Sequence, residues 1–89
     1  MIEIEFAPSF QRHTKTAKMQ VDSDSLKSAL QEAFRLLPAL RGYVLDDQGA
    51  IRKHVTIFIN DETISDRDEL SDSLRDGDRV YVFQALSGG

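Results

Sequence analysis

DGDRVYVFQALSGG, residues 76–89, combines a tight turn, a strand and a tail of small residues. Asp76-Gly77-Asp78 has the composition of a turn, because glycine and aspartate tolerate backbone angles that most residues avoid. The next residues, 79–85, alternate with a period of two and therefore predict a strand. Its faces carry Val80 and Val82 on one side and Tyr81 and Phe83 on the other. Periodicity does not identify the strand that pairs with it, and that pairing decides the topology of the sheet.

A second strand is predicted by HVTIFIN, residues 54–60, the strongest β pattern in the chain. Its faces carry Val55, Ile57 and Ile59 on one side and His54, Thr56 and Phe58 on the other. The elements expected after it are a turn at Asn60-Asp61-Glu62, a brief strand at Thr63-Ile64 and a short helical turn at Asp68–Leu74. The C-terminal half is therefore predicted to consist of short strands and turns.

The N-terminal residues predict a β-hairpin. Ile2–Phe6 alternates apolar residues with glutamates, and Thr16–Val21 alternates in the same way. Two strands that follow one another in the chain most simply pair as neighbours. Phe10, in the polar connection between them, is expected to fold back over one end of the core.

One amphipathic helix is predicted from Leu26 onward, because apolar side chains recur there at the spacing of a single helical face. This stripe consists of Leu26, Ala29, Leu30, Ala33, Phe34 and Leu37. Asp22-Ser23-Asp24-Ser25 supplies N-cap residues, and Pro38 disfavours helix at the residue before it. Beyond the proline, Tyr43-Val44-Leu45 predicts a short strand that ends in a turn at 46–49.

These elements predict an α+β domain, in which a mixed sheet of four to five strands is covered by one main helix. If the last strand lies centrally beside the first, the fold is a β-grasp, the ubiquitin-like fold. Eighty-nine residues have room for one hydrophobic core. We assign that core to residues 1–85 and expect residues 86–89 to form a flexible tail.

Composition excludes several classes of function. Fifteen acidic and eleven basic residues give a net charge of −4, the wrong sign for a nucleic-acid partner. The absence of cysteine excludes disulfides, thiolate metal sites and a thiol nucleophile. Eight of the acids lie between Asp61 and Asp78, so basic protein surfaces suit this region. Without a signal peptide or a run of about 20 apolar residues, we expect a cytoplasmic protein that binds no membrane.

Residues with metal-binding or acid–base chemistry are present, but they form no recognisable site. The main acidic cluster consists of Asp66, Asp68, Glu69 and Asp72. It lacks the spacing of a calcium loop and fits a solvated helix face, so no metal is expected. An imidazole side chain can act as an acid or a base near neutral pH, yet nothing in the sequence brings His13 and His54 together. With no glycine-rich phosphate loop and no nucleophile motif, a self-contained enzyme is not expected.

Three aromatic side chains on the outward strand faces are stronger candidates. Phe58 lies opposite the valine and isoleucine row of its strand, and Tyr81 and Phe83 lie opposite the two valines of theirs. If these strands are near neighbours, the three rings form an apolar patch beside the C-terminal tail. Apolar groups gathered on the surface of a small protein are typical of a docking site.

The tail ends in Gly88 and Gly89, two of only five glycines in the chain. A frayed end or a cloning remnant is also rich in glycine. The functional interpretation is chemical, since a free C-terminal carboxylate can attack the α-phosphate of ATP and form an acyl-adenylate. Residues 86–89 reach about 13 Å when extended. Glycine has no Cβ, so such a tail fits a narrow channel in a partner that holds the nucleotide.

The D-G-D turn, apolar strand and Gly-Gly tail of residues 76–89 resemble the MoaD/ThiS family of ubiquitin-like sulfur carriers. Residues 54–62 are similar to the middle strand of that family and its N-(G/D)-E turn. The longer segment Leu40–Arg52, together with the basic residues Arg52-Lys53-His54 that lead into the next strand, is most similar to the CysO-like branch. Ser87 stands where alanine is common, and because serine is also small we expect no loss of function.

The resemblance implies that this chain is a carrier rather than an enzyme. An E1-like adenylating enzyme, which itself holds ATP and magnesium, would activate Gly89. A sulfur donor protein would then displace AMP, and the resulting thiocarboxylate would pass its sulfur to a client enzyme. This chain would bind no cofactor. The site residues are Gly88 and Gly89 at the reactive end and Phe58, Tyr81, Phe83 and Leu86 for partner binding.

Two other functions use the same residues. A ubiquitin-like modifier would form isopeptide bonds from the same adenylate, and a non-covalent adaptor would use the aromatic patch alone. The client pathway also stays open at this point, among molybdopterin, thiamine, cysteine and thiolated RNA synthesis.

Overall fold

The computed structural model describes residues 1–10 and 18–84. Within them lie five strands, two α-helices and one 3₁₀ turn. In chain order these are β1 (Ile2–Phe6), the 3₁₀ turn (Pro8–Phe10), β2 (Lys18–Val21), α1 (Leu26–Leu36), α2 (Pro38–Val44), β3 (Val55–Ile59), β4 (Glu62–Thr63) and β5 (Arg79–Gln84). The expected α+β class is confirmed.

The strands form one mixed sheet in the order β2-β1-β5-β3-β4. β1 and β5 run parallel at the centre, with Glu3 paired to Arg79 and Phe6 to Val82. The other neighbours are antiparallel, including the hairpin of β1 and β2. The first and last strands are therefore adjacent, which is the arrangement that defines the β-grasp.

Helix α1 begins where its first backbone amides find acceptors. The Ser25 side chain accepts a hydrogen bond from the Ser28 amide at 3.2 Å, as an N-cap residue should. The amides of Leu26 and Lys27 donate to carbonyl oxygens of the loop at 70–72, at 2.9 and 3.1 Å. These bonds use donors that every helix start leaves free, and they join the helix to the loop that precedes β5.

The predicted stripe of α1 is buried against the sheet and forms the centre of the core. Its members Leu26, Ala29, Leu30, Ala33 and Phe34 are buried, and Leu37 packs half-buried at the end. From the other side β1, β3 and β5 contribute Ile2, Ile4, Ile57, Val80 and Val82. Phe10 is fully buried, and its ring lies 5.8 Å from that of Phe6 in an edge-to-face arrangement. The expectation that Phe10 closes one end of the core is confirmed.

The predicted strand at Tyr43-Val44-Leu45 is wrong, because Tyr43 and Val44 complete α2. Pro38 occupies the first turn of that helix, where its missing N–H costs nothing. Leu40 and Val44 are four residues apart, and both are completely buried against α1 and the core. This tertiary burial outweighs the β propensity of the short tyrosine-valine run. Only Leu45 makes a β contact, an isolated bridge to Ile51.

The segment between β4 and β5 is less helical than expected. In place of the predicted helical turn at 68–74, one turn at 66–70 is closed by a hydrogen bond from the Leu70 amide to the Asp66 carbonyl at 3.2 Å. Residues 71–74 continue without helix, and Ser73 bridges to Ser25 beside the start of α1. The brief strand predicted at Thr63-Ile64 lies one residue earlier, at Glu62–Thr63. No helix among the described residues is long and apolar enough to span a bilayer.

β3 and β4 are joined by a two-residue turn at Asn60 and Asp61, both with positive φ, 51° and 78°. Ile59 pairs with Glu62 on either side of it, so the turn has the form of a type I′ hairpin. Asparagine tolerates the left-handed region well, whereas the second position favours glycine because a Cβ is strained there.

We therefore predict that Asp61→Gly stabilises the protein by about 0.5–1 kcal/mol. Urea unfolding at neutral pH measures this change. Asp61→Ala is the matched control, because it removes the same negative charge and keeps the Cβ that is strained at positive φ. Equal stabilisation by both variants would mean that charge, rather than backbone strain, limits this turn.

Candidate functional site

The outer face of the sheet, opposite α1, brings the three predicted aromatic residues onto two neighbouring strands. Phe58 of β3 is paired directly with Tyr81 of β5, and Phe83 is paired with Thr56. Phe83 is 42% exposed, and Phe58 and Tyr81 are half-buried. We call these three residues the aromatic surface. The expectation that they share one face on adjacent strands is confirmed, and their partner-binding role stays a prediction.

Charged residues border the aromatic surface on the β1 side. Glu5 pairs with Tyr81, and Lys18 of β2 pairs with Glu5 in turn. Glu3 lies beside Arg79 in the same register. Carboxylates and cations thus alternate along this edge, while the aromatic rings supply the apolar area. An apolar centre with a charged rim is the usual composition of a transient protein interface.

The start of β5 is held by a hydrogen-bond network around Asp78. Its carboxylate accepts hydrogen bonds from the Arg75 amide and the Asn60 side-chain amide, both at 2.8 Å. The Asn60 side-chain oxygen accepts from the Arg79 amide at 3.0 Å. The bond from the Arg75 amide, followed by that from Asn60, lowers the pKa of Asp78. The network fixes the D-G-D turn against the β3–β4 hairpin, and thereby sets the register in which β5 enters the sheet.

The end of β5 is held on both sides. Gln84 pairs with Val55 of β3, and its carbonyl accepts a hydrogen bond from the Ser9 hydroxyl at 3.5 Å. The Ala7 amide donates to the Val82 carbonyl at 2.9 Å. Leu86, Gly88 and Gly89 lie outside the described residues, as does the predicted boundary between domain and tail. The structure thus shows the base from which the predicted reactive end extends.

The acidic cluster at 66–72 organises its own loop. One Asp66 carboxylate oxygen accepts from the amides of Asp68 and Glu69, and the other accepts from the amide and hydroxyl of Ser71. These bonds, led by the one from Glu69, lower the pKa of Asp66. Asp72 accepts hydrogen bonds from two further backbone amides, at 3.0 Å each. In the described part of the chain, no three acidic or histidine side chains converge in a way that could hold a metal.

The two histidines are not brought together by any described contact. His54 is exposed in the turn before β3, because the strand begins at Val55, one residue later than predicted. His13 falls outside the described residues. The structure therefore adds no acid–base pair to the candidate site.

Two arginines near the end of β5 were not predicted to have a role. Arg67 donates from one guanidinium nitrogen to the carbonyls of Arg52 and Val55, at 2.8 and 2.7 Å. Arg52 donates from Nε to the Gly42 carbonyl at 2.7 Å. These long-range bonds leave no periodic signal in the sequence. The only sequence feature that could have drawn attention to Arg52 was the run of basic residues at 52–54.

Comparison with protein families and solved structures agrees with this architecture. The model of the ThiS family matches residues 11–89. SAMP1, the small archaeal modifier protein 1 of Haloferax volcanii, is 24% identical with a TM-score of 0.81, over 99% of this chain and 98% of that one. Mycobacterium tuberculosis CysO is 19% identical with a TM-score of 0.82, over 97% and 100%.

A chain of the Amycolatopsis orientalis BexX/CysO complex superposes over 100% of both chains, with a TM-score of 0.85 and 13% identity. At these identities the solved structures establish the fold alone. A comparison with curated protein sequences gives no significant match.

We predict that Asp78→Asn destabilises the protein at neutral pH and that this penalty shrinks in acid. A carboxylate with a lowered pKa stabilises the fold above its ordinary pKa of about 4, and this stabilisation is lost as the pH falls through the lower folded value. Urea unfolding of both proteins between pH 7 and pH 3 measures it. Asp47→Asn, which removes a carboxylate from an exposed turn, corrects for net charge. A penalty independent of pH would contradict the assigned role of the ionised carboxylate.

Proposed function

Since this chain belongs to the ThiS family, a family of ubiquitin-like sulfur carriers, we propose that its sulfur travels on the backbone carboxyl group of Gly89. An oxygen of that carboxylate attacks the α-phosphate of ATP, and pyrophosphate leaves. A hydrosulfide equivalent from a donor then attacks the acyl carbon, and AMP departs with the bonding electrons. The product is a thiocarboxylate, whose sulfur attacks an electrophilic carbon of an acceptor and displaces a leaving group. Water then cleaves the acyl carbon–sulfur bond of the resulting thioester, so the acceptor keeps the sulfur and the free carboxylate of Gly89 is regenerated.

The observation that carries this proposal is the position of Gly88-Gly89 in the sequence, separated by three residues from Gln84, where the central strand β5 ends. The family match extends through residue 89, so it includes both glycines. β5 is paired with β1 from Arg79 to Val82 and with β3 from Val80 to Gln84, which anchors the residue from which the tail departs. Glycines leave such a tail narrow enough for a deep active site.

The catalytic machinery is assigned to the partners. An E1-like adenylating enzyme supplies ATP and magnesium, a sulfur donor protein supplies the nucleophile, and a client enzyme accepts the sulfur. The aromatic surface is the proposed docking site, together with Leu86 at the start of the tail. The solved BexX/CysO complex shows that a protein of this fold pairs with another protein, and we extend that behaviour to this chain.

A second function is favoured by one comparison. SAMP1 is named a modifier protein, and a modifier uses the same adenylate but transfers the acyl group to a lysine. The two functions differ in product, since the carrier ends as a thiocarboxylate and the modifier leaves a Gly-Gly remnant on a target. Recovery of such remnants on lysines, with no thiocarboxylate, would favour the modifier.

We predict that co-expression with an adenylating enzyme from the same genome, in cells supplied with sulfide, increases the intact mass by one oxygen-to-sulfur exchange at Gly89. Deletion of Gly88 and Gly89 abolishes the exchange, because the reacting carboxyl group is lost, and Ser87→Ala retains it. Intact-mass spectrometry with C-terminal peptide mapping provides the measurement. A deletion variant that keeps full activity in a sulfur-dependent pathway would instead support the non-covalent adaptor.

We also predict that Phe83→Asp weakens binding to the adenylating enzyme about tenfold or more, since a charge replaces apolar contact area at the interface. Its melting temperature changes little, because the side chain is already 42% exposed. Leu36→Asp is the matched control, since Leu36 is 51% exposed at the end of α1. Calorimetric titration and thermal unfolding measure the two effects. A collapse in melting temperature, or an equal loss of binding with Leu36→Asp, would contradict a docking role for Phe83.

A further inference from the structure

The length of the tail restricts where the adenylating enzyme can sit. Five residues follow Gln84, and at about 3.5 Å each they reach at most about 17 Å. An enzyme whose active site receives Gly89 must therefore place its entrance against the end of β5. This step rests on the proposed function, because it takes Gly89 as the group that reacts.

The surface at that end of the sheet is basic. The pairing of Gln84 with Val55 places the preceding turn, Arg52-Lys53-His54, beside the exit of the tail. All three side chains are exposed. No carboxylate occurs between residues 48 and 60, or in the neighbouring segments 7–10 and 81–84. The adjoining segment 66–68 carries two, Asp66 and Asp68, on either side of Arg67, whose guanidinium is hydrogen-bonded to the carbonyls of Arg52 and Val55. We call residues 52–54 the basic turn.

The opposite end of the sheet is acidic. Residues that follow β2, connect β3 to β4 and precede β5 all meet there, because Val21 pairs with Ile2 and Ile59 pairs with Val80. The carboxylates at this end are Asp22, Asp24, Asp61, Glu62, Asp76 and Asp78. They outnumber the cations there, which are Arg75, Arg79 and the N-terminal ammonium of Met1 that pairs with Asp76. Charge is thus separated along the strand axis, with the positive end at the base of the tail.

The basic turn is held in place by hydrogen bonds. The Val55 amide donates to the Arg52 carbonyl at 3.0 Å, and Arg67 donates to that same carbonyl and to that of Val55. The Arg52 side chain is anchored on Gly42, which holds its guanidinium against α2. A preorganised surface loses little conformational entropy when a partner binds.

We propose that the basic turn docks on an acidic rim around the active-site entrance of the adenylating enzyme, next to the contact made by Phe83. Such a rim attracts the tail end of the chain and repels the acidic end, so the protein arrives with Gly89 leading. Opposite charges at an interface chiefly raise the association rate and set orientation. A nucleic-acid partner is disfavoured, because two cations neutralise few phosphates and the chain as a whole carries −4.

Charge reversal at Lys53 tests this proposal. Lys53→Glu is expected to slow association with the adenylating enzyme about three- to tenfold at low salt, and Lys53→Gln by less. The difference should fade as salt rises, because screening removes it. Lys27→Glu is the matched control, since it changes net charge equally on an exposed residue of the first turn of α1. Stopped-flow association rates across a salt series provide the measurement, and circular dichroism confirms folding of each variant.

Equal slowing by Lys53→Glu and Lys27→Glu would overturn the proposal, since net charge alone would then explain the rate. No slowing by Lys53→Glu would overturn it as well. Loss of binding to total transfer RNA, with an unchanged rate toward the enzyme, would assign the basic turn to a nucleic acid instead.

Pyrophosphate release, measured separately, distinguishes this proposal from the function on which it rests. Association that depends on Lys53 without any pyrophosphate release would remove the proposed adenylation and retain the docking surface. Pyrophosphate release at a rate that does not depend on Lys53 would support the proposed adenylation and overturn the docking role of the basic turn.

Discussion

The parallel pairing of β1 with β5 is the constraint on which the rest of the structure depends. Parallel neighbours cannot be joined by a tight turn, so the chain between them must cross over the sheet. α1 provides that crossover, and its apolar stripe is buried as a consequence. β3 then fills the free edge of β5, and β2 fills that of β1. The first and last strands of the chain thereby become the two most protected strands of the sheet.

Several carboxylates of this acidic chain accept hydrogen bonds from backbone amides. Asp66, Asp72 and Asp78 each accept two or more hydrogen bonds, most of them from backbone amides in the turns between β4 and β5. An ionised carboxylate is a strong acceptor for such amides, so a long connection without regular structure can still be well defined. This explains how residues that resemble a metal cluster in the sequence serve a structural purpose. It also explains why the loop can cap the start of α1.

The elements that could be predicted are those whose signal is local. Alternation identified β1, β3 and β5, and the stripe from Leu26 identified α1, because burial of one face imposes its period on the sequence. α2 was missed because its burial comes from the packing of Leu40 and Val44 against distant residues. The aromatic surface was predicted from strand parity, yet the direct pairing of Phe58 with Tyr81 depends on register. The basic turn depends on register as well, and a sequence does not contain register explicitly.

The central position of β5 bears on how a carrier can present its terminus. An edge strand has one neighbour and frays readily, whereas a central strand opens only with much of the sheet. β5 is paired with β3 as far as Gln84 and with β1 as far as Val82. The position of Gln84 is therefore fixed relative to Phe83 and the basic turn. A partner that recognises this rigid surface therefore already confines Gly89 to within about 17 Å of Gln84. In the proposed function, binding of residues 85–89 in a partner's active site costs conformational entropy, and the cost per residue is greatest for the two glycines. The proposed docking of the folded surface offsets that cost, which is why we expect docking and chemistry at the same end of the molecule.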